Sequence, residues 1–175
     1  MQLSRWVALA SLGSLLTWTG AVKAETKVEL KNVHLCCNAC VKAVGNVLHE
    51  IDGVQGQCDR KNKTVTITAP DDKTAQKALD ALAKAGFHGK TGNKELAIKD
   101  DSGAKKGKVQ SVTVSGVHNC CGNCCKTIKK GVKEVDGVSG DTAQPKKTTF
   151  EVTGNFDAAE LVKALNGAGF HVKVK

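Results

Sequence analysis

One pattern appears twice in this chain, and that repetition limits the fold more than any other feature. Val33-His34 recurs as Val117-His118, and Cys36-Cys37-x-x-Cys40 as Cys120-Cys121-x-x-Cys124. Asp52-Gly53-Val54 recurs as Asp136-Gly137-Val138, and these pairs are all displaced by 84 residues. Ala85-Gly86-Phe87-His88 returns as Ala168-Gly169-Phe170-His171, displaced by 83. A repeat of this kind means two copies of one small unit. The copies are expected over 25–98 and 109–175. Residues 99–108 between them are polar and glycine-containing, without periodicity, and read as a flexible linker.

Each copy carries the same succession of elements. Val28, Leu30 and Val33 mark a first strand, as do Val109, Val112, Val114 and Val117. A cysteine loop follows. Val41, Val44, Leu48 and Ile51, spaced 3, 4 and 3, then mark an amphipathic helix, matched by Cys125, Ile128, Val132 and Val135. Asp-Gly-Val ends the helix and opens a second strand. Thr64 to Thr68 alternates as a third strand, with Phe150 and Val152 at the places of Val65 and Ile67. A second helix carries Ala75, Ala78, Leu79 and Leu82, or Leu161, Val162 and Leu165, and a short last strand follows Gly86 and Gly169. The predicted class is α+β, a βαββαβ order with helices on one face of an antiparallel sheet. Units this small bury a modest core, so a metal or a disulfide would add useful stability.

The N-terminus sets the expected compartment. Arg5 precedes a mostly apolar stretch from Trp6 to Leu16, and Ala21-Val22-Lys23-Ala24 offers small residues before a cut. Residues 1–24 read as a secretory signal peptide, which predicts a periplasmic or secreted protein. The apolar stretch is shorter than the ~18–20 residues of a spanning helix, so no stable membrane insertion is expected after cleavage. The cut would remove both Trp residues and the one Met, leaving Phe87, Phe150, Phe156 and Phe170 as the aromatics. That excludes methionine-rich copper sites and argues against nucleic acid as a partner, despite a formal charge of +9. The positive charge reads as a solvated surface that can also guide an acidic partner.

The alignment of the copies sorts the cysteines. Cys125 stands where the first copy has Val41, on the buried stripe of the helix, and reads as core. Cys58 stands opposite Thr142 and has no counterpart. The recurring set is Cys36, Cys37, Cys40 and Cys120, Cys121, Cys124, placed where a strand ends and a helix begins. Free N–H groups and partial positive charge at a helix N-terminus favour thiolates there. Thiolates so gathered are ligands for soft or borderline cations. His34 and His118 recur beside them and are candidate additional ligands. No set of residues for catalysis is recognisable, so a non-enzyme is expected.

Strand, Cys-x-x-Cys loop, helix, Asp-Gly-Val, alternating strand, helix, Ala-Gly-Phe and last strand together resemble the heavy-metal-associated domain. That family includes copper chaperones, N-terminal domains of metal-pumping P-type ATPases and a periplasmic mercury-binding protein. The resemblance covers both copies. It implies two ferredoxin-like domains in tandem, with metal at Cys37/Cys40 and Cys121/Cys124 and with Phe87 and Phe170 packed beside the metal loops. It favours copper(I) as the ion and a metal-transport protein as the partner. The family's methionine before the loop is replaced here by Leu35 and Asn119, and each loop carries an extra cysteine. Two thiolates suit copper(I) or mercury(II), and three also serve zinc(II) or cadmium(II). Two other readings remain open: a thiol-disulfide oxidoreductase, and a module stapled by disulfides.

Overall fold

A computed structural model describes residues 25–175, and the expected signal peptide at 1–24 lies outside the described residues. The first unit runs β1 (Thr26–Leu30), α1 (Asn38–His49), β2 (Gln55–Asp59), β3 (Thr64–Ala69) and α2 (Asp72–Lys84). The second runs β4 (Lys108–Ser115), α3 (Gly122–Lys133), β5 (Val138–Asp141), β6 (Phe150–Asp157), α4 (Ala158–Gly167) and β7 (Lys173–Val174). The strands of the second sheet lie in the order β5-β6-β4-β7, all antiparallel. The first sheet has β1-β3-β2, and a bridge from Lys31 to Lys90 takes the place of a fourth strand beside β1. The architecture is α+β: two ferredoxin-like units in tandem.

The alternation read from the sequence follows the burial. Val65, Ile67 and Ala69 of β3 face inward, and Thr64, Thr66 and Thr68 stay half-exposed. In α2 the buried residues are Ala75, Ala78, Leu79 and Leu82, one helical face. Asp71 caps that helix by accepting from Thr74 N at 2.8 Å, which satisfies one of its orphan N–H groups. The buried apolar residues of both units form one continuous cluster.

Two expectations differ from the structure. The last strand of the first copy shrinks to single bridges at Phe87 and Lys90. The chain there reads Gly89-Lys90-Thr91-Gly92-Asn93, with little β propensity, where the second copy has Val172-Lys173-Val174. A side chain at Gly89 would lie 2.6 Å from Leu30 Cγ, so only glycine permits this close pass. The segment expected as a flexible linker is anchored. Val174 N donates to Ser102 O at 2.8 Å, and Asp101 binds both His171 and Lys173, at 2.7 and 2.9 Å.

The units meet through their Ala-Gly-Phe-His segments. Phe87 and Phe170 form an antiparallel bridge at the centre. Gly169 O accepts from His34 N and His88 N, and Gly86 O accepts from His118 N and His171 N. This exchange has approximate twofold symmetry, which places the two cysteine loops face to face.

Candidate metal centre

Both loops start their helices in the same way. Cys37 and Cys121 are the N-cap residues of α1 and α3, with φ/ψ of −152/171 and −154/174. Cys40 and Cys124 follow in the first turn, so each helix aims a pair of sulfurs past its N-terminus. The preceding strand delivers Cys36 or Cys120 to the same corner. Each loop is braced from the adjoining hairpin. Arg60 donates to Cys36 O (3.1 Å) and Asn38 Oδ1 (2.8 Å) in the first unit. In the second, buried Asn119 donates through Nδ2 to Gln144 O (2.7 Å) and Lys147 O (2.9 Å). Gln144 holds the position equivalent to Arg60, so one hairpin site supports both loops by different chemistry.

The six repeated cysteines come together in one cluster. Within the first loop, Cys40 Sγ is 3.7 Å from both Cys36 and Cys37. Across the interface Cys36 lies 3.6 Å from Cys121 and 3.5 Å from Cys124. Cys120 lies 3.7 Å from Cys37 and 3.6 Å from Cys40, and Cys40 lies 3.9 Å from Cys124. Within the second loop, Cys124 is 3.6 Å from Cys120 and 3.7 Å from Cys121. Cys40 and Cys124 are fully buried, whereas the other four are partly open. All eight cysteines are free thiols. The sequence suggested two separate, open corners. The structure has one shared centre, because the Ala-Gly-Phe-His contacts turn the corners toward each other.

The histidines flank this centre in a crossed arrangement. A ring nitrogen of His118 lies within 4.8 Å of the sulfurs of Cys40, Cys120 and Cys124, and one of His34 lies as close to Cys36 and Cys124. Each histidine therefore approaches both loops. His34 rests on Phe170 with ring centroids 4.4 Å apart, and His118 on Phe87 at 4.2 Å. Each phenylalanine thus packs beside the cysteine loop of the opposite unit. The Nε2 atoms of His34 and His118 are buried and have no hydrogen-bond partner among the described residues. Cys125 lies outside the cluster, buried in the core, with Sγ 3.5 Å from Ala143 O. Cys58 sits on β2 and is also apart from it.

The electrostatics suit proton-for-metal exchange. The Cys40 thiol is held far below its usual range, chiefly because the Cys124 thiol donates to it, and Cys124 is raised by the same hydrogen bond. The pair shares one proton and carries one negative charge, so it titrates as a unit. The backbone N–H of Cys124 is the main cause that draws Cys121 down to about 7. Burial pushes Cys120 up to about 12 and raises Cys36. Burial also lowers His34, keeping a neutral ring beside the sulfurs. A soft cation relieves this crowding by replacing thiol protons, the response expected of a thiolate site. The orphaned imidazole nitrogens and the clustered sulfurs both fit a soft or borderline ion.

Comparison with known proteins follows this geometry. The sequence model of the heavy-metal-associated domain matches residues 109–171. No curated protein matches the chain. A solution structure of the N-terminal soluble domains of Bacillus subtilis CopA is 17% identical, with 87% of this chain and 95% of that one covered at a TM-score of 0.34. A structure of the water-soluble region of the P-type ATPase CopA from Bacillus subtilis is likewise 17% identical. It covers 87% of this chain and 93% of its own at a TM-score of 0.33. The similarity to the heavy-metal-associated domain thus lies in the second unit, from Val109 of β4 to His171.

Proposed function

We propose that this chain is an exported carrier of soft metal ions, copper(I) foremost, that captures its cargo with the cysteines of both loops and passes it on by thiolate exchange. The convergence of six sulfurs at 3.5–3.9 Å from two helix N-termini carries this reading. Thiolate-rich sites select copper(I), mercury(II), zinc(II) or cadmium(II) over hard ions. The partly open sulfurs of Cys36, Cys37, Cys120 and Cys121 offer the face where an incoming thiolate attacks before an old bond breaks. The acceptor or donor is an acidic metal-transport protein. Beside Cys36 an open groove between the units carries Arg60, Lys61, Lys63, Lys108, Lys130 and Lys163, against four carboxylates. Such an excess guides docking of an opposite charge.

The test is an anaerobic competition titration of the reduced chain against a copper(I) chelator. The native chain should win copper(I) from the chelator. A chain with Cys37, Cys40, Cys121 and Cys124 all changed to Ser should not. Unchanged binding in that variant would remove these residues from the site. Metal-independent reduction of insulin by the native chain would instead favour the oxidoreductase.

A further inference from the structure

We infer that the two units close on a single polynuclear cage, in which six bridging thiolates hold about four copper(I) ions, and do not hold one ion each. This rests on the soft-metal reading above and specifies how the site is filled.

The sulfur contacts favour three sulfurs around each ion; the one four-donor group among the described residues needs His118 beside Cys40, Cys120 and Cys124. A metal–thiolate bond of about 2.3 Å sets three sulfurs around one ion about 4.0 Å apart. The nine contacts of 3.5–3.9 Å close triangles, but no four sulfurs touch mutually, as a tetrahedral all-sulfur ion would require. They describe a distorted octahedron, with Cys36 opposite Cys120, Cys37 opposite Cys124, and Cys40 opposite Cys121.

Four alternate faces of that figure use every sulfur twice. Cys36–Cys40–Cys124 closes at 3.7, 3.5 and 3.9 Å. Cys37–Cys40–Cys120 closes at 3.7, 3.7 and 3.6 Å. Cys36–Cys37–Cys121 closes within 4.8 Å. Cys120–Cys121–Cys124 has contacts of 3.6 and 3.7 Å along two of its edges. Three of the four faces draw sulfurs from both units, so an ion seated there joins them.

The number of sulfurs supports several ions over one. One copper(I) would engage at most three of the six sulfurs and leave the others as unliganded thiols within 3.9 Å of its ligands, two of the six being fully buried. Four copper(I) ions on six thiolates leave a net charge of −2; the sulfurs still protonated, at most five because the Cys40–Cys124 pair has already lost one proton, release their protons to solvent. No electron is transferred. The cationic groove at Cys36 lies beside that residual charge. The extra cysteine of each loop, unexplained by a two-coordinate ion, becomes a bridge.

The experiment is native mass spectrometry of the full chain, reduced and titrated anaerobically with copper(I), beside the variant Cys36→Ser/Cys120→Ser. That variant keeps both Cys-x-x-Cys pairs. The native chain should pass from metal-free to a four-copper form with little of the intermediate loads, and X-ray absorption should show three sulfurs per copper and a copper–copper shell. The variant should lose the four-copper form. Two coppers per chain, bound independently and kept by the variant, would overturn the cage while leaving the carrier reading intact. A single zinc held in preference to copper(I) and lost with His118→Ala would also overturn it. No metal bound by either chain would sink the carrier reading itself.

Discussion

At the scale of single residues, neighbouring cysteines do different work. Cys124 and Cys125 are adjacent on α3 and both buried, yet only Cys124 reaches the cluster. A cysteine packed in a core acts as a small hydrophobe. Cys125→Val, which installs the residue of the equivalent position, should change stability by less than ~1.5 kcal/mol in urea unfolding. It should leave the copper load intact, whereas Cys124→Val should reduce it. Equal losses from both would mean the division is wrong. This division was legible in the sequence, because alignment with Val41 marked Cys125 as part of the helix stripe. The place of His34 and His118 beside the cysteines was legible too, but their contact with the opposite unit was not. Their rings lie on Phe170 and Phe87 of the opposite unit, and no local periodicity encodes a contact between copies.

At the scale of elements, the glycines after α2 and α4 carry two demands at once. Gly86 and Gly169 have φ of 85 and 90. Each ends its helix in a Schellman motif: Gly86 N bonds to Ala83 O at 2.8 Å and Phe87 N to Leu82 O at 3.0 Å, with matching bonds at Gly169. Each also lies at the closest approach of the units. A Cβ on Gly86 would lie 2.3 Å from His118 N, and one on Gly169 2.4 Å from His34 N. These are backbone atoms, which cannot turn aside. Gly86→Ala should therefore cost at least ~1–3 kcal/mol from the backbone strain alone. It should also speed alkylation of the buried Cys40 and Cys124 by spreading the interface. Gly45→Ala, in α1 with nothing within 4 Å, should stabilise by roughly 0.5–1 kcal/mol and leave alkylation unchanged. Fast alkylation in both, or in neither, would contradict this account of the interface. The strand and helix order was readable because alternation and helical spacing are local properties. That Ala-Gly-Phe-His binds one copy to the other was not, since its recurrence fits a helix end equally well.

At the scale of the whole molecule, histidines at the joint make its closure depend on pH. His88 Nδ1 and His171 Nδ1 face each other at 3.4 Å, and His171 Nε2 binds Asp101 Oδ1 at 2.7 Å. The Asp101 carboxylate only accepts, so His171 Nε2 carries the hydrogen of that bond. The hydrogen positions follow from this network. Burial, with repulsion from His171 second, lowers His88 to about 4, against attraction from Asp100 and with further repulsion from Lys90. Burial lowers His34 as well. A histidine lowered on folding favours the neutral, folded form. Its contribution is complete above the unfolded value of about 6.5 and fades as pH falls toward 4. Asp100 and Asp101 are also lowered, so their loss comes at more acid pH and does not fill this window. The reduced, metal-free chain should lose stability in urea between about pH 6.5 and 4, and Cys40 and Cys124 should become more accessible to a pH-tolerant thiol reagent. His88→Gln, which cannot take up a proton in this range, should flatten the pH dependence. An equally steep loss in that variant would assign the acid sensitivity elsewhere. Acid also returns protons to the thiolates, so opening the joint and releasing the metal run in the same direction. Comparing the metal-free native chain with metal-free His88→Gln separates the two: the acid sensitivity that the variant loses belongs to the joint, and what it keeps includes the lowered thiols Cys40 and Cys121.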